Sequence, residues 1–243
     1  MFRKAVLSLV LVAAVAGAVR SEELVVGTYA EFPPFETLDE SGEVHGFDID
    51  VINAIGREMG FTPKWFAQAF LALIEGLQTG RSSIVASGLT ITDARREKVD
   101  FTDPYFDVGL VAVVREGDPV PTSIEELRDK RLSILMASTA SVVVEKAFGQ
   151  TPPNVRFLSK YNEVFNDLVN KRADAVLVDE PMARAYSKQM GGMTPGTIRM
   201  HVEQYGFAVR KGDKALLNRL NEGLARIRAS GEFETIRRKW FED

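Results

Sequence analysis

The sequence predicts an α/β protein built as two lobes around one cleft, and three observations predict it. Short apolar strands alternate with segments of helical hydrophobic period from Leu24 onward, the pattern of sheets wrapped by helices. Polar turns at Tyr29, Ser87, Ser138 and Asp179 each follow such a strand. In α/β sheets, ligands sit beyond the carboxyl ends of the strands. These turns fall two in each of two successive α/β blocks, which sets two lobes face to face.

The chain opens with Arg3 and Lys4, an apolar run over residues 5–15 broken only by Ser8, and the small residues Ala16-Gly17-Ala18. That is the charge, core and cleavage site of a secretory signal peptide, expected over residues 1–18. The run is shorter than the roughly 20 residues a spanning helix needs. No cysteine follows it to accept a lipid, so the mature chain is expected to be freely soluble.

A strand is expected over 24–27, a turn over 29–35 and a hairpin turn over 39–42. From Phe47 the period becomes helical, with Val51, Ile52, Ile55 and Met59 on one face and Gly60 as the stop. A strand over 62–66, a helix over 70–78 ended by Gly80, and a strand over 84–86 complete the first block. The second begins with a strand over 110–115. Ser123-Ile124-Glu125-Glu126 then reads as a capping box opening a helix to about Asp129. A strand over 132–135, a polar turn over 137–140, a helix over 142–148, a strand over 155–158 and a helix over 162–170 follow. A strand over 175–178 ends at Asp179-Glu180-Pro181, and a helix runs from there to about Met190. A strand over 206–210 and two helices close the chain, with Leu216, Leu217, Leu220, Leu224 and Ile227 as a core stripe.

Composition narrows the function. The chain contains no cysteine, which excludes disulfides and thiolate chemistry in an exported protein. Without Arg3 and Lys4, 28 basic residues remain against 34 acidic ones, a net charge of −6. An acidic chain without basic runs argues against nucleic acid or an anionic membrane as partner. Its two histidines, His45 and His201, lie far apart without companions at metal spacing. They read as surface residues, and no metal or cofactor is expected.

The segment Ser87-Gly88-Leu89-Thr90-Ile91-Thr92-Asp93-Ala94-Arg95 carries the chemistry. A Gly/Ser/Thr turn ahead of a helix offers N–H groups and hydroxyls to an anion, and an arginine adds a fork shaped for a carboxylate. The plainer alternative pairs Arg95 with Asp93 or Glu97 on the surface. Asp179 likewise reads as a fixed negative partner or as a helix N-cap ahead of Pro181, and the two roles are compatible.

Gly27-Thr28…Pro33-Pro34-Phe35, Gly46-Phe47-Asp48-Ile49-Asp50, Gly88-Leu89-Thr90-Ile91-Thr92…Arg95, Val99-Asp100-Phe101-Thr102-Asp103-Pro104-Tyr105, Val178-Asp179-Glu180-Pro181 and Tyr205-Gly206-Phe207-Ala208-Val209-Arg210 occur in that order. Together they resemble the family 3 extracellular solute-binding proteins, the polar-amino-acid receptors of ABC importers. The resemblance implies a type II periplasmic-binding fold with two hinge strands. Lobe 1 would take residues 22–108 and 204–243, and lobe 2 residues 109–203. It further implies Arg95, Gly88 and Thr90 on a ligand α-carboxylate, joined by N–H groups of Ser138, Thr139 and Ala140. Asp179 would take the α-ammonium, and Phe32 and Phe70 would sandwich the ligand body. Tyr29 stands where many receptors for basic amino acids or glutamine carry an aspartate, and Met136 where some relatives carry lysine; both departures favour a polar or neutral amino acid. The implied partner is a membrane permease, and the implied state a monomer. The alternative on the same fold is a periplasmic prephenate or arogenate dehydratase, for which Glu180 and Glu31 are the nearest candidate acids.

Overall fold

The computed structural model describes residues 21–150 and 152–241; the signal segment expected over 1–18 lies outside them. Strand β1 (Glu22–Thr28) is an inner strand of the first sheet. After it come the short strands β2 (Glu31–Phe32), β3 (Glu36–Leu38) and β4 (Val44–His45), which form a small antiparallel sheet of their own. Helix α1 (Phe47–Met59) buries Val51, Ile52 and Ile55 and ends at Gly60, whose left-handed backbone no other residue adopts as cheaply. Strand β5 (Phe61–Ala67) pairs parallel to β1. A 3-10 turn (Phe70–Ala72) leads into α2 (Leu73–Thr79), splitting the single helix expected there.

Strand β6 (Ile84–Val85) runs parallel to β1 on its other side. The short helix α3 (Asp93–Arg96), β7 (Val99–Phe101) and the long β8 (Phe106–Arg115) follow. Strand β8 starts four residues before the apolar run that announced it, because residues 106–109 carry the chain out of the first sheet and into the second. Both faces of β8 are buried: Val111 and Val113 join one cluster, Leu110, Ala112 and Val114 another. That explains a sequence without polar alternation.

The second sheet gathers β9 (Leu132–Leu135), β10 (Val155–Leu158), β11 (Ala175–Asp179), β12 (Met193–Pro195) and β13 (His201–Tyr205) with β8. Its helices are α4 (Thr139–Phe148), α5 (Tyr161–Val169) and α6 (Glu180–Met190). The chain then re-enters the first sheet as β14 (Ala208–Arg210), antiparallel to β6 and β7. Helices α7 (Lys214–Ala229) and α8 (Glu232–Phe241) finish the fold. Both sheets are therefore mixed, not purely parallel. The strands that cross between them must run back, and β8 and β13 do so side by side, antiparallel from Tyr205↔Phe106 to His201↔Leu110.

Two local expectations change. The capping box at Ser123 opens only a 3-10 turn, Glu125–Leu127. The Glu126 carboxylate folds one residue further back and accepts from the Thr122 N–H at 2.9 Å, while Leu127 is the turn's buried anchor. Helix α4 begins three residues earlier than its apolar period indicated, because the Ser138 hydroxyl accepts from the Ser141 N–H at 3.2 Å and caps it.

Gly46 ends the small sheet at φ 147°, and a Cβ there would run into the Phe35 carbonyl. Gly46→Ala is therefore expected to cost at least about 2 kcal/mol of stability, read as a lowered urea midpoint; an unchanged midpoint would refute the crowding.

Candidate functional site

The turn after β6 is built on buried carboxylates. The Ser87 hydroxyl donates to Glu36 Oε1 at 2.7 Å and accepts from the Tyr29 N–H at 3.1 Å. The Gly88 N–H donates to Asp48 Oδ2 at 2.8 Å, an atom that also accepts from the Tyr105 hydroxyl at 2.7 Å. Burial pushes the Asp48 carboxyl up to about 7. Burial, and then Asp48 itself, push Glu36 well above the carboxylate range. Gly88 sits at φ 47°, and a Cβ would strike the Phe32 ring; the turn approaches that ring closely because it is glycine.

Past the turn, Thr92 caps α3 by accepting from the Arg95 N–H at 3.2 Å. That fixes the helix so that the Arg95 side chain turns back over the turn. Its guanidinium donates to the Thr90 carbonyl at 2.8 Å and, in the turn between β9 and α4, to the Ala137 carbonyl at 3.1 Å. It lies 5.6 Å from the centre of the Phe70 ring. Neither Asp93 nor Glu97 pairs with it in these contacts. Burial lowers its pKa, while Glu203 and Asp179 act in the opposite direction.

From the second sheet, Asp179 ends β11 and stands at the N-cap position of α6 without making a capping bond. Its carboxyl is free of that duty, and Oδ1 has no hydrogen-bond partner among the described residues. The Tyr205 hydroxyl lies near enough to lower the Asp179 pKa, though it completes no bond of good geometry. Burial first, then Glu203, dominate and raise Asp179 to about 7. Thr139 and Ala140 open α4, where the first N–H groups of a helix have no intrahelical acceptor.

Arg95, Asp179, Gly88, Thr90, Phe32, Phe70, Ser138 and Thr139 line one cavity of about 20 Å³, with Ser87 and Tyr161. Tyr29 and Ala140, also expected at the ligand, do not line it. A larger cleft of about 630 Å³ lies against Trp240 and Phe241, and no expected ligand residue lines it. Three expected donors already serve the protein: the Gly88 N–H is held by Asp48, the Thr90 hydroxyl donates to Glu203 Oε2 at 2.7 Å, and the Ser138 N–H donates to the Leu135 carbonyl at 3.3 Å. Phe32 and Phe70 share the cavity, and the rings in contact with Phe32 are Phe35, Tyr161 and Tyr205, at 5.5, 5.6 and 6.2 Å between centres. Tyr29 spans the sheets: its hydroxyl lies 3.1 Å from Glu31 Oε2 and 3.2 Å from the Ser159 carbonyl, and accepts from the Tyr161 N–H at 3.3 Å.

Sequence reasoning missed Glu203 and Tyr161. Glu203 is buried on β13, and its Oε2 also accepts from the Thr139 hydroxyl at 2.8 Å. The signal was present in His201-Val202-Glu203-Gln204-Tyr205, where strand alternation puts Glu203 on the face of Tyr205. The two acids considered for dehydratase chemistry are otherwise engaged. Glu31 accompanies Tyr29, and Glu180 pairs with Arg184 at 2.8 Å and Arg199 at 2.7 Å. Burial would raise Glu180, but those arginines outweigh it and its pKa is lowered.

The family model for bacterial extracellular solute-binding proteins, family 3, matches residues 24–243. A probable histidine-binding protein of Neisseria gonorrhoeae is 35% identical over 219 residues, covering 89% of this chain and 82% of its own. The ABC transporter arginine-binding protein 1 of Escherichia coli K12 is 32% identical over 246 residues, covering 98% and 99%. Among solved structures, the arginine-, lysine-, histidine-binding protein ArtJ of Geobacillus stearothermophilus superposes with a TM-score of 0.85 at 30% identity, covering 91% of this chain and 96% of that one. These relatives are binding proteins, and the dehydratase alternative finds no support among them.

Because the folded Asp179 binds its proton more tightly than the unfolded chain does, this group adds stability as pH falls from above 7 towards 4, and nothing further below that. Carbon-13 NMR of the Asp179 carboxyl is expected to show a midpoint near 7 in the wild type and a lower one in Glu203→Gln. Equal midpoints would refute the coupling.

Proposed function

The chain belongs to the bacterial extracellular solute-binding proteins of family 3, and from that premise we propose how its cleft holds a ligand. It is an amino-acid-binding receptor of an ABC importer, and not an enzyme. Its relatives are periplasmic binding proteins; the periplasm, reached through the signal segment 1–18, is the compartment proposed here. Lobe 1 comprises residues 22–108 and 204–243 and lobe 2 residues 109–203, joined where β8 and β13 run side by side.

In this reading Arg95 takes the ligand α-carboxylate from lobe 1, and the free N–H groups of Thr139 and Ala140 meet it from lobe 2. Asp179 takes the α-ammonium. A ligand shifts a hinge only if it interacts differently with the open and closed forms. One bridging Arg95 and Asp179 meets that requirement, and the closed receptor then docks on its permease.

The observation that carries the reading is the set of charges in one buried place: Arg95 against Asp179 and Glu203. With all three ionised the cleft holds one net negative charge, a cost that the free protein relieves by keeping a proton on Asp179 until the pH rises through about 7. A neutral zwitterion leaves that charge in place. An amino acid with a cationic side chain cancels it. Glu203 thus turns the preference from the polar or neutral side chain indicated at Tyr29 towards a cationic one, the class named for the arginine-binding relative and for ArtJ.

Calorimetric titration of the refolded chain is expected to give one-to-one binding of arginine, lysine or histidine ahead of glutamine and citrulline. Arg95→Ala is expected to lose about 2–5 kcal/mol, because it strands a buried carboxylate. Undiminished binding by that variant would overturn the assignment of Arg95, and equal affinity for arginine and citrulline would overturn the cationic class. Binding is also expected to weaken as pH falls through about 7, because protonated Asp179 no longer opposes an ammonium.

A further inference from the structure

Tyr29 is buried yet lies outside the cavity that holds the other expected ligand residues. It follows β1 directly, and its base is fixed: its N–H donates to the Ser87 hydroxyl at 3.1 Å, in the turn that carries Gly88 and Thr90. Its ring meets the Phe70 ring edge-on at 6.0 Å. The hydroxyl at the far end reaches the proposed lobe 2. It lies 3.2 Å from the Ser159 carbonyl and accepts from the Tyr161 N–H at 3.3 Å, groups 130 and 132 residues further along the chain.

Helix α5 needs what this hydroxyl offers. Tyr161 is its first residue, and Lys160 at the N-cap position makes no side-chain capping bond; a lysine has donors only. The Tyr161 N–H is therefore among the helix donors without an intrahelical acceptor, and Tyr29 supplies one from the other lobe. The hydroxyl proton has two acceptors within reach, Glu31 Oε2 at 3.1 Å on its own side and the Ser159 carbonyl on the other. Donation to the Glu31 carboxylate strengthens the oxygen as acceptor for the Tyr161 N–H. Donation to Ser159 doubles the tie to lobe 2. In either arrangement a hydrogen bond spans the lobes, and its partners there are main-chain atoms.

We infer that Tyr29 is a latch between the lobes: its hydroxyl favours the closed form by capping α5 from lobe 1, and so adds one common increment to the affinity for every ligand. A bond made only when the lobes meet stabilises closure whatever the cleft encloses. A group that touches the ligand discriminates between side chains; a bond to main-chain atoms beside the cavity does not. Opening stays affordable, because the hydroxyl keeps Glu31 while the Tyr161 N–H and the Ser159 carbonyl turn to water.

The inference rests on the two-lobed amino-acid-receptor reading, and the test separates the two. Tyr29→Phe keeps the ring against Phe70 and removes the hydroxyl alone. Dissociation constants for arginine, lysine and histidine are measured by calorimetry for wild type and variant. Small-angle X-ray scattering gives the ligand-free radius of gyration of each, with thermal unfolding as the folding control. The three constants are expected to rise together, about five- to tenfold, with their ratios kept within about twofold. Where the ligand-free wild type is already closed, the loss shows instead as a larger ligand-free radius in Tyr29→Phe. Constants and radius both unchanged overturn the latch while the receptor reading stands, and a lowered melting temperature beside them marks the bond as merely structural. A rise for one ligand and not the others makes Tyr29 a ligand contact and overturns the latch as well. A wild-type protein that binds none of the three overturns both readings.

Discussion

Glu203 Oε2 accepts a hydroxyl from Thr90 and another from Thr139, at 2.7 and 2.8 Å. The two threonines approach from the turn after β6 and from the start of α4, while the carboxylate itself rides on β13, one of the strands that cross between the sheets. Both bonds exist together only when the sheets are close. The same carboxylate draws on Arg95 and, after burial itself, raises Asp179, so one group takes part both in the contact across the cleft and in its charge. A ligand carboxylate seeking the same hydroxyls would have to share or displace this bond, and its binding energy is measured against that starting point.

A second set of carboxylates lies one layer deeper. Asp48 holds the Gly88 N–H and the Tyr105 hydroxyl, and Glu36 holds Ser87. These bonds take up polar groups of the turn that would otherwise be buried without partners. They also bind the turn to helix α1 and to the small sheet. In the proposed division into lobes the turn is thus tied to its own lobe, and Ala137, Thr139 and Asp179 come to it from the other.

How much of this was legible in the sequence depended on whether the cause was local. Helix α1 could be read from Val51, Ile52, Ile55 and Gly60 because period and stop signal lie within one stretch. Arg95 and Asp179 were legible because each follows an apolar strand at a turn. The start of α4 was not, since Thr139, Ala140 and Ser141 carry no apolar period and only the Ser138 cap defines it. Strand β13 hid behind polar residues whose pairing with β8 is a tertiary fact. Glu203 was hidden for the same reason: its partners lie 113 and 64 residues away, and a glutamate between Val202 and Gln204 has the look of a solvated edge.

The close approach of Gly88 to Phe32 has an evolutionary consequence. Every single-nucleotide change in a glycine codon that replaces the residue adds a Cβ, and here a Cβ meets both a left-handed backbone and an aromatic ring. Position 88 is therefore a mutational dead end while Phe32 remains. Descendants of this chain that acquire a new ligand must do so around a fixed point, by drift at side chains such as Tyr29, Met136 and Tyr161, whose backbones tolerate many residues. In the proposed binding mode this fixes the carboxylate end of the cleft and leaves the side-chain end as the place where lineages can part.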